Sequence, residues 1–160
     1  MMTNKVTTFT QFKQAGRVKE CTGSVLIPQN SGLKMVLAVC SQSGLYESPF
    51  FKMITKRYTK VKSDYREAFV TQQGLKLGNV NTTAITSETW VMQAVCLDVK
   101  EKLDKKALET CVTKLVEMAK YEKASLHVSN LLLQEVPALK KLLAAIPEAG
   151  LNLYLYDEKV

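Results

Sequence analysis

The chain has 160 residues, of which 46% are hydrophobic and 23% charged, with 7 glycines and 4 prolines, which is typical of one soluble globular domain. A chain of this length buries roughly 70% of the surface that its unfolded form exposes, so it needs neither a metal nor a disulfide to hold a core. No run approaches the roughly 20 apolar residues of a membrane span, and the start MMTNKVTTFTQFK lacks the apolar stretch of a secretory signal. We expect a single cytoplasmic domain over residues 1–160, with residues 1–19 as an N-terminal strand or extension.

The net charge of +7 is concentrated in the first half of the chain. Residues 1–76 hold 12 lysines and arginines against 4 carboxylates, whereas residues 77–160 hold 10 against 11. Within the basic half, Lys52, Lys56 and Lys60 recur at the i, i+4 spacing of one helix face. This basic stripe has two interpretations, a solvated face that confers solubility or a field that attracts the phosphates of nucleotides or nucleic acid.

The four cysteines, Cys21, Cys40, Cys96 and Cys111, form no C-x-x-C pair, and the single histidine, His127, is distant from them in sequence. This spacing gives no support to a zinc site or a redox motif. We expect four free, mostly buried thiols in a reducing compartment, and no metal or cofactor. A catalytic role for the Cys40 thiol would require the fold to bring a histidine close to it.

The first elements predicted along the chain are two apolar runs, Val25–Ile27 and Met35–Cys40. They lack alternation with polar residues, so they predict strands that are covered on both faces. Ser48 followed by Pro49 is a start signal for a helix, which we expect to run through FFKMITKRY. The basic stripe lies on the outer face of this helix.

The middle of the chain, Thr71–Thr89, is polar and predicts a loop with one short strand around Lys76–Val80, followed by a buried strand at Trp90–Leu97. In the C-terminal part, apolar residues at helical spacing predict a helix from the N-cap Asp104 to Tyr121. The remaining predicted elements are a strand at Ser125–Ser129, a helix at Pro137–Ile146 and a strand at Leu151–Tyr156.

Strands that alternate with helices indicate an α/β fold, a three-layer α/β/α sandwich with a mixed central sheet of about six strands. We expect Leu126–Val128 and Leu153–Leu155 to be neighbouring parallel strands. In open sheets of this kind, a ligand lies beyond the carboxyl ends of the strands.

In chain order, these elements resemble a degenerate macrodomain, the α/β module that binds ADP-ribose and related nucleotides. The similarity runs from about Cys21 to Asp157. The segments that carry it are Glu20–Leu26, Met35–Ser41, Leu75–Val80 with Trp90–Val95, and the helix, strand, loop, helix and strand that end at Asp157. Degenerate members of this family are common in viruses, so the resemblance is consistent with a viral or phage origin.

The departures from the family pattern concern the ligand-binding positions. Ser24 stands where the family has an acid that binds the adenine amino group, and a hydroxyl accepts a hydrogen bond more weakly than a carboxylate. The first phosphate-binding loop, Ser41–Pro49, keeps one glycine, Gly44, and the second, Asn130–Val136, has none. Ser41 replaces the asparagine that positions substrate in hydrolytic members.

From the resemblance, five residues are candidate ligand contacts: Ser24, Ser41, Gly44, Asn130 and Tyr156. Tyr156 either stacks on an adenine or only packs in the core. The apolar triplet Leu131–Leu133 either fills the ligand cleft from inside or forms a contact patch for a protein partner. His127 and Trp90 are expected to be structural.

Three functions remain open. The first, which we favour, is a non-catalytic module that binds ADP-ribose, a related nucleotide or nucleic acid, with help from the basic stripe. The second is a protein-interaction module whose cleft has closed. The third is an ADP-ribosyl ester hydrolase with non-standard residues, in which Glu47 or Glu135 would act as the base. No usual catalytic set is visible, so no catalytic residue is predicted, and no membrane partner is expected.

Overall fold

The computed structural model describes residues 16–71 and 73–158 and places six strands in one mixed sheet. The strands are β1 (Val18–Thr22), β2 (Lys34–Ser41), β3 (Val80–Ala84), β4 (Thr89–Leu97), β5 (Ser125–Ser129) and β6 (Leu153–Asp157). Their order across the sheet is β1-β6-β5-β2-β4-β3. Most of the predicted N-terminal extension, residues 1–15, lies outside the described residues, and residues 16 and 17 lead into β1.

Five of the strands are parallel, and β3 pairs with β4 in the antiparallel direction. The register pairs Leu126 with Leu153 and Val128 with Leu155, which confirms the predicted parallel neighbours. Strands β2 and β5 are buried along their whole length. The five parallel strands therefore end at one edge of the sheet, which we call the carboxyl edge.

Helices cover both faces of the sheet. They are α1 (Pro49–Arg57), α2 (Thr59–Thr71), α3 (Lys105–Glu122), α4 (Asn130–Glu135), α5 (Leu139–Leu142) and α6 (Ala145–Glu148). On β4, Gln93 Nε2 donates to the carbonyl oxygen of Val61 in α2 (3.3 Å). Cys96, three residues further along β4 and therefore on the opposite face of the sheet, lies near Cys111 of α3. Burial and this neighbour raise the pKa of the Cys96 thiol to about 12. The arrangement is the predicted sandwich, with α1 and α2 on one face and α3 on the other.

Helix α3 begins as the sequence predicts. The Asp104 carboxylate accepts a hydrogen bond from the backbone N–H of Ala107 at 2.9 Å, which satisfies one of the free donors of the first turn. The helix ends at Lys123, which adopts the left-handed conformation with φ of 57°. Its apolar stripe, including Leu108 and Leu115, is buried against the sheet.

The prediction of a strand at Val25–Ile27 is wrong. Ser24 Oγ accepts from the backbone N–H of Leu26, and the Ser24 carbonyl accepts from the N–H of Ile27, both at 3.1 Å, so the segment forms a turn. A serine hydroxyl offers the backbone this alternative to a strand ladder. The strand in this part of the chain is β1, and its mostly exposed side chains at the sheet edge give no apolar run.

Two further predictions in the C-terminal part are wrong. The expected loop at Asn130–Val136 contains α4, because Ser129 Oγ caps its first turn by accepting from Leu131 N–H at 3.1 Å. The expected helix at Pro137–Ile146 is instead the two short helices α5 and α6. Pro147 has no N–H to donate to the preceding turn, and the chain tightens there through an Ile146 N–H to Leu143 carbonyl bond of 3.0 Å.

The basic stripe is also divided. Helix α1 ends at Arg57, and Tyr58 leaves the helical region with φ of −120° and ψ of 85°. Lys52 and Lys56 remain on the exposed face of α1, whereas Lys60 belongs to α2 and its Nζ donates to the Ala84 carbonyl on β3 (3.3 Å). The short strand expected around Lys76–Val80 lies further along the chain, as β3.

All four cysteines are free and buried. Burial, together with Cys96 and Cys111, raises the pKa of the Cys40 thiol far above its ordinary value, so Cys40 is a neutral core residue rather than a nucleophile. Trp90 is partly buried and packs against the core, as expected. Within residues 16–71 and 73–158, no helix is long and apolar enough to cross a membrane.

Candidate functional site

The loops at the carboxyl edge form the candidate site, which we call the carboxyl-edge site. It consists of residues 23–27 after β1, residues 42–48 after β2, residues 98–104 after β4, helix α4 after β5, and Glu158 after β6. Ligands of open parallel sheets bind at this edge, because several chain segments end there side by side.

A buried carboxylate joins the first and last of these segments. Glu158 is only 7% exposed, and its Oε2 accepts from the backbone N–H of Val25 at 2.7 Å. The Glu158 N–H donates to Asn130 Oδ1 (2.8 Å), and Asn130 Nδ2 donates to Asp157 Oδ1 (3.1 Å). The structure thus brings the predicted residues Ser24 and Asn130 to the surroundings of Glu158, a residue that the sequence analysis missed.

Ser41 lies at the end of β2 and is fully buried. Its Oγ is 2.7 Å from Ser43 Oγ and 3.3 Å from the Tyr65 hydroxyl, which itself donates to the Ser41 carbonyl at 2.8 Å. Ser43 Oγ donates to Glu101 Oε2 at 3.0 Å, and Glu101 adopts a left-handed backbone with φ of 63°. The hydroxyl of Ser41 therefore serves a network that holds loop 42–48 to the loop after β4.

The N-terminus of α1 also lies at the carboxyl edge, and the chain itself binds its free donors. Ser48 Oγ accepts from Phe51 N–H at 2.9 Å. The Phe50 N–H donates to Glu135 Oε2, also at 2.9 Å, so a carboxylate from the end of α4 lies on this helix terminus. A helix N-terminus favours an anion, and here the anion is Glu135.

Gly44 has φ of +76°, a conformation that side chains rarely adopt. A Cβ atom at this position would lie 2.4 Å from Cγ of Phe69 on α2. Gly44 therefore lets loop 42–48 pass closely over the Phe69 ring. A closer approach of a ligand to this glycine, which the resemblance implies, stays a prediction.

Tyr156 is buried, and its hydroxyl takes part in a chain of hydrogen bonds across β5 and β6. The hydroxyl accepts from the Gln29 N–H at 2.9 Å and lies 2.8 Å from His127 Nδ1. His127 Nε2 is 2.7 Å from Ser125 Oγ, and that hydroxyl donates to the Leu33 carbonyl at 3.5 Å. This series of hydrogen bonds attaches both ends of the segment between Gln29 and Leu33 to the sheet.

Every donor in this series of hydrogen bonds meets an acceptor if His127 is neutral and carries its proton on Nε2. Burial, with a smaller contribution from the charge of Lys34, lowers the pKa of His127 to about 3. The imidazole also stacks on Tyr154, with ring centroids 4.7 Å apart and planes inclined by 3°. His127 is structural, as predicted, and it holds no charge near neutral pH.

The groups of the site that could act as bases are already engaged or exposed. Glu135 accepts from α1, whereas Glu47 is exposed on loop 42–48. Among the described residues, no group of three or more histidine, cysteine or carboxylate side chains is arranged to hold a metal ion.

Of the apolar triplet Leu131–Leu133, Leu132 is buried, and Leu131 and Leu133 are partly buried and pack against the core. The triplet therefore contributes to the core, and whether it also fills the ligand cleft stays a prediction.

Glu158 and Glu135 are the residues that sequence analysis missed or placed in another role. Their bonds to Val25 and Phe50 span 133 and 85 residues of sequence, so no local pattern reveals them. A local signal did exist for α4, since Ser129 precedes an apolar run and is a good N-cap residue.

Comparison with protein-family models finds no match for the sequence, and no curated protein matches it either. Solved structures do match. The chain is similar to a macrodomain protein from Streptomyces coelicolor, with a TM-score of 0.80 and 19% identity over 89% of this chain and 100% of that one. It is similar to a protein of unknown function from Bacteroides thetaiotaomicron, with a TM-score of 0.79 and 17% identity over 89% and 99% of the two chains.

A third similar structure is that of Thermosipho africanus DarTG in complex with ADP-ribose, with a TM-score of 0.62 and 13% identity over 86% of this chain and 41% of that chain. The class that these likenesses define is an α/β sandwich with a mixed six-stranded sheet. More particularly, the chain has the macrodomain fold, as the sequence resemblance implied.

Proposed function

We propose that the protein is a non-catalytic module that binds ADP-ribose or a related nucleotide at its carboxyl-edge site. The observation that carries this proposal is the macrodomain fold over 89% of the chain, supported by the similarity to 41% of a chain whose structure is in complex with ADP-ribose. According to the sequence resemblance, the loops that follow β1, β2 and β5 correspond to the loops that the family uses for its ligand.

Glu158 supplies the acid that the first loop lacks. Ser24 replaces the family's acidic residue, but the Glu158 carboxylate lies beside it, bonded to the N–H of the next residue, Val25. One carboxylate has about four acceptor sites, so Glu158 can hold Val25 and still accept from an adenine amino group. Asn130 fixes the backbone of Glu158 and so positions it for this role.

Glu135 weakens the same site for a diphosphate. A phosphate that binds the N-terminus of α1 must first displace the Glu135 carboxylate from Phe50 N–H. A hydrogen bond to a charged group contributes about 1.5–3 kcal/mol, so this exchange lowers the affinity for a diphosphate by roughly tenfold or more. Adenosine, which has no phosphate, does not meet this competition.

The engaged state of Ser41 and Glu135 supports the absence of turnover, and Glu47 is the candidate base that remains exposed. Hydrolysis needs a base within hydrogen-bond reach of the attacking water and a held diphosphate. Ser41 is buried in its hydroxyl network, and Glu135 is bonded to α1. We therefore expect acetylated ADP-ribose to be hydrolysed no faster in the presence of the protein than in buffer.

Calorimetric titration with ADP-ribose and with adenosine tests the proposal. The wild-type protein should bind both. Glu135→Gln should bind ADP-ribose about tenfold more tightly and adenosine equally well, since only the competing charge is weakened. Glu158→Gln should weaken both ligands, and Glu148→Gln, on α6, should change neither. Hydrolysis above the rate in buffer that is lost in Glu47→Gln or Glu135→Gln would contradict the non-catalytic part.

A second candidate function is a protein-interaction module with a closed cleft. The contact of Glu135 with α1 favours it, because this hydrogen bond joins the end of α4 to the segment that follows loop 42–48. If neither the wild-type protein nor Glu135→Gln binds ADP-ribose or adenosine at millimolar concentration, nucleotide binding is wrong and this second function takes its place.

A further inference from the structure

The surface on the other side of loop 42–48 combines exposed apolar side chains with positive charge. Leu45 on the loop and Phe69 and Val70 at the end of α2 are 72%, 43% and 74% exposed. Phe69 and Leu45 are close together, because the Phe69 ring lies over Gly44, the residue before Leu45. Exposed apolar side chains that lie close together are a feature of interaction surfaces. We call these three residues the apolar patch.

Lys62 and Arg66 lie beside the apolar patch. They are exposed, and their i, i+4 spacing puts them on one side of α2, about 6 Å apart at Cβ, with Phe69 next along the same side. Between them and α1 lies a shallow groove of about 70 Å³, whose walls include Tyr46, Phe51 and Tyr65. The groove is too small to enclose a ligand, so a ligand would lie across the surface.

The charge of this surface selects the class of partner. Residues 44–71, which contain the end of loop 42–48, α1 and α2, hold six lysines and arginines against three carboxylates, of which Glu47 also lines the groove. Another of these carboxylates, Asp64, is bonded to the Thr83 hydroxyl on β3 (2.8 Å). A repeated negative charge is the complement of such a surface, and a polyanion gains affinity by releasing counterions from each neutralised phosphate.

We propose that the apolar patch, with Lys62 and Arg66, binds single-stranded nucleic acid. Unpaired bases stack on exposed aromatic rings such as Phe69, while the backbone phosphates follow the cations of α2 and α1. An acidic peptide would use the cations but has no flat face for the aromatic ring. The rings of duplex DNA are stacked on one another, so a duplex would also use only the cations.

The test is fluorescence anisotropy with a labelled twelve-nucleotide single strand of mixed sequence, in DNA and RNA form, at 50 and 200 mM salt. Lys62→Glu with Arg66→Glu should weaken binding by about 30-fold and lower the slope of log affinity against log salt by roughly 1.4, which corresponds to two lost phosphate contacts. The matched control, Lys105→Glu with Lys106→Glu at the start of α3, makes the same charge change on the other face and should cost less than about threefold.

A second pair of variants tests stacking. Phe69→Leu keeps an apolar side chain over Gly44 but removes the ring, and it should weaken binding about tenfold with no change in the salt slope. Tyr121→Leu removes an exposed ring from α3 and should have no effect. Circular dichroism and the thermal midpoint of each variant establish that it is folded.

Several outcomes would overturn the proposal: no binding of the single strand by the wild-type protein, equal losses in the two charge-reversal variants, or equal binding of duplex DNA. Full displacement of the single strand by polyglutamate at equal charge concentration would also overturn it and would point to an acidic protein partner. Lys62 and Arg66 are not part of the carboxyl-edge site, so ADP-ribose titration of the Lys62→Glu, Arg66→Glu variant separates failure of this proposal from failure of the proposed function.

Discussion

Loop 42–48 lies between two surfaces that differ in their charged groups: on one, carboxylates are bonded to the backbone, and on the other, cations are exposed. At the carboxyl-edge site, the carboxylates of Glu158 and Glu135 accept hydrogen bonds from the backbone N–H groups of Val25 and of Phe50 in α1. On the side of α2, Lys62 and Arg66 are exposed beside apolar side chains. The first surface has used its anion-binding donors internally, so a ligand there must exchange with the chain. The second surface can bind an anion without breaking an internal bond.

The largest effect is expected at Gly44, where the two surfaces meet. Gly44→Ala combines a left-handed backbone with a Cβ atom 2.4 Å from Phe69 Cγ, and we expect a loss of about 3 kcal/mol in the free energy of unfolding. Gly32→Ala is the matched control, because its φ of +84° is similar but its Cβ would meet nothing within 4 Å. It should lose about 1 kcal/mol. Equal losses in urea unfolding would show that the contact of the loop with Phe69 is unimportant.

The next effect concerns the internal bonds of the carboxyl-edge site. Glu158→Ala leaves the buried Val25 N–H without its acceptor, so we expect a loss of about 2 kcal/mol in the free energy of unfolding. Glu67→Ala, on the exposed side of α2, should change this free energy by less than about 0.5 kcal/mol. A small loss at Glu158 would mean that its carboxylate is not held in the folded protein, and the contrast between the two surfaces would then disappear.

The smallest effect at neutral pH comes from His127 and becomes visible in acid. The unfolded chain takes up a proton with a pKa near 6.5, whereas the folded pKa of His127 is about 3, so the unfolded state binds more protons between these values. Stability should therefore fall as the pH falls, by about 2 kcal/mol between pH 7.5 and pH 5. His127 is the only histidine in the chain, so His127→Gln should remove most of this dependence. An unchanged dependence in the variant would assign it to carboxylates.

The sequence predicted the central strands well and the edges of the fold less well. Strands β2 and β5 are covered on both faces, and such strands give continuous apolar runs that are visible without a structure. Strand β1 lies at the sheet edge and carries Lys19 and Glu20, so its composition gives no such signal. The apolar run at Val25–Ile27 has the composition of a strand but forms a turn, because the Ser24 hydroxyl accepts a hydrogen bond from the Leu26 N–H.

The candidate site was predicted at the level of loops rather than side chains. The resemblance placed Ser24, Ser41, Gly44 and Asn130 on segments that do meet at the carboxyl edge. It did not indicate that Ser41 and Tyr156 would be buried in hydrogen-bond networks, or that Glu158 would reach Val25. Each of these contacts joins residues that are distant in sequence, and a single sequence holds no record of such pairs.

The position of β1 at the sheet edge has a consequence for how the protein folds during its synthesis on the ribosome. Within the described sheet its neighbour is β6, and their contacts join residues as far apart as Arg17 and Asn152, which are 135 positions apart. At 5–20 residues per second, β1 waits roughly 7–27 s for that neighbour to be synthesised. During that time its backbone donors and acceptors are unpaired, so truncated or stalled chains expose a ready strand edge. Completion of the sheet is a late event, and aggregation of nascent chains should depend on translation speed through the last third of the sequence.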